Sequence, residues 1–97
     1  MDANFNQLLE SIRGGEVEIL DLRNKNIGDD GARALSIALM NENNKVSELN
    51  LSGNDIGEDG IIALSTALMS ANNNVTTLYL SGNKIGDDCV KKIYQLL

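Results

Sequence analysis

Three acidic pairs, Asp29-Asp30, Glu58-Asp59 and Asp87-Asp88, recur at a constant interval and form the densest grouping of chemistry-bearing side chains in the chain. Converging carboxylates could hold a cation or act as a general acid and base. Each pair, however, opens a stretch of helical periodicity, where a carboxylate accepts free N–H groups and complements the positive end of the dipole, worth ~0.5–2 kcal/mol. Calcium needs six or more oxygens around one point, and these pairs stand on separate segments, so helix capping is the expected role. Cys89 is the single thiol. A helix N-terminus would favour its thiolate, but Asp87 and Asp88 beside it oppose that, so a packed, inert cysteine is expected. Gly53 and Gly82 sit in S-G-N turns with no G-x-x-x-x-G-K-[ST] phosphate loop following. They read as left-handed turn residues, with Asn24 as their equivalent, and Gly28, Gly57 and Gly86 admit the same reading.

Composition excludes most other chemistry. The chain has 97 residues and no His, so no imidazole base, Ser-His-Asp triad or His-ligated metal can form. Ser and Thr are plentiful but none has a base partner. No enzyme activity, cofactor or metal is expected. A net charge of −6 opposes phosphate backbones and anionic lipid, so nucleic acid and membrane are not expected partners. No segment approaches the ~20 apolar residues of a membrane span. The N-terminal stretch has neither a basic n-region nor an apolar h-region, and with one unpaired cysteine this implies a cytoplasmic setting.

The elements that must position these residues repeat. Val17, Val46 and Val75 fall 29 residues apart, and Leu20/Leu49/Leu78, Leu22/Leu51/Leu80 and Ile27/Ile56/Ile85 follow in the same register. Each unit switches period midway. From Val17 to Leu22 the apolar residues Leu20 and Leu22 alternate with Asp21 and Arg23, predicting a strand with one buried face. From Asp29 onward, Ala32, Leu35, Ala38 and Leu39 make a helical stripe. Tandem strand-helix units require parallel strands joined by helical crossovers. Helices are wider (~10 Å) than the strand spacing (~4.8 Å), so the stack should curve with its strands inside.

The segments VSELNLSGNDI (Val46 to Ile56) and VTTLYLSGNKI (Val75 to Ile85) resemble the leucine-rich repeat L-x-x-L-x-L-x-x-N-x-I. The unit length and the I-G-D/E-D-G run resemble the ribonuclease-inhibitor-like subfamily. This resemblance implies an α/β right-handed solenoid, a short parallel sheet on its concave side and helices on its convex side. The first copy, VEILDLRNKNI, departs at Lys25, where Asn54 and Asn83 stand in the others, so its unit is expected to lack the buried amide that satisfies turn backbone in this family.

A single domain is expected, with a capping helix in 1–16 and repeats at 17–45, 46–74 and 75–97. Phe5, Leu8, Leu9 and Ile12 share one helical face ended by a glycine pair. In the last unit Cys89, Lys91, Lys92 and Tyr94 replace residues that are mostly smaller, which predicts a terminal unit.

What remains for function is the outward strand face. If the leucines point inward, Ile19/Glu48/Thr77, Asp21/Asn50/Tyr79 and Arg23/Ser52/Ser81 form columns on the exposed sheet surface. These positions vary between repeats while the core does not. The expected partner-binding residues are Ile19, Asp21, Arg23, Glu48, Asn50, Thr77 and Tyr79, contacting a protein on the concave face. Three strands offer less than the ~800 Å² per partner of a standard interface, so the contact should be weak or assisted. The alternative is a structural unit forming a homodimer through its C-terminal edge, where Val75, Leu78, Leu80 and Ile85 have no following repeat to cover them.

Overall fold

The computed structural model describes residues 3–86. Helix α1 spans Ala3–Arg13, followed by β1 (Ile19–Asp21), α2 (Gly28–Leu39), β2 (Glu48–Asn50), α3 (Glu58–Leu68) and β3 (Thr77–Tyr79). The Asp87-Asp88 pair, Cys89, Lys91, Lys92 and Tyr94, and with them the expectations for a terminal unit and an inert thiol, lie outside the described residues.

The three strands form one parallel sheet in the order β1-β2-β3. Ile19 pairs with Glu48 and Glu48 with Thr77, Leu20 with Leu49 and Leu78, and Asp21 with Asn50 and Tyr79. The 29-residue sequence interval is therefore the register of the sheet. Each strand covers only three residues, shorter than the Val17–Leu22 alternation predicts. The pairing nevertheless continues past the strand ends, because Leu22 N–H donates to Asn50 O and Asn24 N–H to Ser52 O.

Alternation buries Leu20, Leu22, Leu49 and Leu51 beneath the sheet against Ala32, Leu35, Leu39, Ile61 and Leu64 of the helices. Small residues let α2 and α3 pack closely. A Cβ on Gly60 would lie 2.7 Å from both Asp29 Oδ1 and Ile56 Cγ2, which would have to shift, and 3.0 Å from Ala32 Cβ, a tight contact. The recurring serines have a structural job. Buried Ser36 donates its hydroxyl to Ala32 O and Ser65 to Ile61 O, four residues back along their own helices.

Helix α1 places Leu9 and Ile12 in the core, with Phe5 and Leu8 half-buried against it. Its end is a Schellman turn: Gly15 N–H donates to Ile12 O and Glu16 N–H to Ser11 O, with Gly15 at φ 72°.

The helix starts refine the capping expectation. Asp29 and Asp30 stand in the first turn of α2 and Glu58 and Asp59 in that of α3, where their charge complements the dipole, while the N-cap residues Ile27 and Gly57 make no side-chain cap bond. Asp29, at the start of α2, also accepts from Gly57 N–H at 2.7 Å and Gly60 N–H at 3.1 Å, both at the start of α3. The Asp29 carboxylate therefore serves the helix N-terminus of the next unit as well as standing at that of its own. Arg33 follows the same logic, bonding Asp30 in its own helix and Asp59 in the neighbour.

The Lys25 expectation is corrected on the same ground. Asn54 Oδ1 accepts from the N–H groups of Lys25 and Ile27, and its Nδ2 donates to Leu22 O. The first turn thus receives a buried amide, supplied by the second unit. Asn83 serves the second turn in the same way, accepting from the N–H groups of Asn54 and Ile56. The glycines divide. Asn24, Gly53 and Gly82 all adopt positive φ (56°, 70° and 72°), as does Gly28, but Gly57 lies at φ −105° and donates its N–H to Asp29.

Candidate functional site

Strand alternation turns one residue row of the sheet away from the helices for every row it buries. The outward rows read Ile19, Glu48, Thr77 and then Asp21, Asn50, Tyr79 across the three strands. Arg23, Ser52 and Ser81 continue the face where the chain leaves the sheet, with the Ser81 hydroxyl donating to that of Ser52 at 3.1 Å. All seven residues expected from the sequence therefore occupy one surface.

Two of these rows are less free than their variability suggests. Asp21 Oδ1 accepts from Arg23 N–H, and Asn50 Oδ1 from Ser52 N–H, so each closes an Asx turn that ends its strand. Asp21 also takes Nε and Nη2 of Arg23 at 3.0 and 2.8 Å, a two-point ion pair. Hydrogen bonds from the Arg23 side chain, and then from its backbone N–H, hold the Asp21 carboxyl below the ordinary aspartate range. The same carboxylate raises the Arg23 guanidinium. Asp21 and Arg23 thus largely satisfy each other.

The other residues present unspent surface. Ile19 is 68% exposed and Tyr79 47% exposed, at opposite corners of the patch. Glu48 and Thr77 are half-buried between them. Among the described residues no group of three or more His, Cys, Asp or Glu side chains could hold a metal ion, and no helix is long and apolar enough to cross a membrane.

Sheet and helix alternate in units whose buried leucines, turn asparagines and left-handed turn residues coincide at the same phase. A family model described as leucine rich repeat matches residues 17–36, 42–65 and 71–93, more than half of the sequence. The chain is a leucine-rich repeat protein. No curated protein matches it. Domains built from leucine-rich repeats generally mediate protein–protein interaction and are typically non-enzymatic.

The sequence reading missed a second set of asparagines that ties this repeat protein together. Asn44, only 2% exposed, accepts from Val46 N–H, and Asn73 accepts from Val75 N–H. Across units, Asn72 Nδ2 donates to Met40 O and Asn74 Nδ2 to Asn44 O. The signal was present in the asparagine-rich runs NENN and ANNN, which close the helix-to-strand turns.

Proposed function

We propose that this leucine-rich repeat chain is a non-enzymatic interaction module, a short right-handed solenoid of the ribonuclease-inhibitor-like type that binds a protein partner on its concave strand face. One observation carries the reading: Ile19 and Tyr79 stand exposed on the same sheet whose inward leucines are buried. Exposed apolar groups on a regular sheet have no packing reason to be there, and tyrosine is a frequent interface hot spot. Ile19, Glu48, Thr77 and Tyr79 are the proposed contacts, with Asp21, Arg23 and Asn50 shaping the patch as well as touching the partner. The acidic charge supports a protein rather than a nucleic-acid or membrane partner. A cytoplasmic setting and a single domain capped by α1 belong to the same proposal.

The test is partner capture from the source cell with wild type, Tyr79→Ala and Ile37→Asn, the latter at a residue of α2 that is 67% exposed on the helix side. Capture lost in Tyr79→Ala and kept in Ile37→Asn supports the strand face. Equal capture by all three overturns it.

A second reading, association of two copies through the edge of the third unit, is favoured by a specific contrast. Val46, Leu49, Leu51 and Ile56 are 0% exposed, whereas their counterparts Val75, Leu78, Leu80 and Ile85 are only partly buried. Sedimentation finding a strict monomer at high concentration excludes this dimer.

A further inference from the structure

Resting on the strand-face reading above, we propose that this face selects a partner segment presenting a cationic side chain, arginine or lysine, to Glu48. Glu48 is the central residue of its row, paired in register with Ile19 on one side and Thr77 on the other. Among the described residues its carboxylate makes no hydrogen bond or ion pair. The other charged groups of the outward rows, Asp21 and Arg23, engage each other, and the side-chain oxygen of Asn50 takes the Ser52 N–H. The outward rows therefore offer one unspent charge, on the middle strand.

The surroundings of that charge fit a long basic side chain. Strand spacing of ~4.8 Å and a two-residue step of ~6.6 Å put Tyr79 about 8 Å from Glu48, Cα to Cα, on the diagonal, with Ile19 on the adjacent strand. The methylene stem of a lysine or arginine can lie on Ile19 or on the Tyr79 ring while its head reaches the carboxylate. Half-burial of Glu48 removes part of its water and strengthens the attraction relative to a fully exposed carboxylate. The net charge of −6 draws a basic segment toward the molecule and repels an acidic one.

The experiment follows amide NMR shifts of the isotope-labelled full chain during titration with two capped pentapeptides. One is Tyr-Arg-Ser-Arg-Tyr, and the other replaces both arginines by citrulline, its neutral isostere. The arginine peptide is expected to shift Glu48, Thr77 and Tyr79. Citrulline, or Glu48→Gln in the protein, weakens that binding about threefold to fivefold, as does raising salt from 50 to 500 mM. In Glu48→Lys the preference for arginine over citrulline is lost. Equal affinity of the arginine and citrulline peptides for the face overturns the charge selection while leaving the face as an interaction surface. Arginine-peptide shifts confined to Asp30 and Asp59 at the helix starts, or none, overturn the proposal itself. Loss of the strand-face reading is scored separately, by capture that survives Tyr79→Ala.

Discussion

Asn54 is fully buried, and all of its polar atoms are used. Its side chain accepts from Lys25 and Ile27 and donates to Leu22 and Ser52, while its own N–H goes to Asn83 and its carbonyl takes Gly28 N–H. Leucine at this position would leave two N–H groups and a carbonyl of the first turn unpaired away from water. Each such group costs about 1–3 kcal/mol, so Asn54→Leu is expected to lose at least ~3 kcal/mol in urea unfolding. Asn83→Leu should cost less, since Asn83 is half-buried and water can replace part of what is lost. Equal losses would contradict this ranking. The Asp21 carboxyl supports a prediction on pH. Its folded-state pKa is lowered by the Arg23 hydrogen bonds, so the pair persists above the unfolded value and is lost only as pH falls through the folded one. Its NMR titration midpoint should lie below that of an ordinary aspartate and rise toward it in Arg23→Gln. Global stability should barely respond, because both partners are largely exposed.

At the scale of elements, the join between α2 and α3 depends on a carboxylate from one helix seated on the N-terminus of the other. Asp29→Ala is expected to cost ~1–2 kcal/mol, by loss of the N-terminal interaction. The damage should appear in α3: amide exchange at Gly57 and Gly60 should accelerate more than exchange in α2. Faster exchange confined to α2 would mean that Asp29 serves its own helix alone. Gly60→Ala tests the same junction sterically and should cost about 1–3 kcal/mol, since Asp29, Ile56 and Ala32 would all have to move. These junctions mark the limit of what the sequence made legible. Period and phase reported which unit a residue belongs to, and hence Leu20 beside Leu49 beside Leu78, the helix positions and the outward columns. They were silent on which unit a side chain serves. The reach of Asp29 and of Asn54 into the neighbouring unit, and with it the satisfied turn around Lys25, went unread for that reason: a short polar side chain at a unit boundary can reach the backbone of its neighbour at no cost to the repeat pattern. The Asx turns of Asp21 and Asn50 were hidden differently. Their variability looked like freedom, although aspartate and asparagine are interchangeable as acceptors for an N–H two residues on.

At the scale of the molecule, each unit is completed by the next. The second unit has a partner on both sides: β2 pairs with β1 and with β3, its turn receives Asn83, and its asparagine fills the first turn. Stability in such an arrangement is a sum of unit and interface contributions, and a residue's weight should follow its place in the stack rather than its chemistry. Leu20, Leu49 and Leu78 provide the comparison, being the same residue type at the same phase. Leu49 is 0% exposed and touched from both sides, Leu20 is 4% exposed, and Leu78 is only partly buried. Alanine at Leu49 should cost at the upper part of the ~2–5 kcal/mol range for a buried leucine, and alanine at Leu20 somewhat less. Leu78→Ala should cost least, because solvent already reaches the side chain and a smaller residue leaves little closed cavity. Urea unfolding of the three variants under one set of conditions checks the order. Equal costs would mean that the third unit is covered as completely as the second, and with that cover the edge-to-edge dimer would lose its apolar surface.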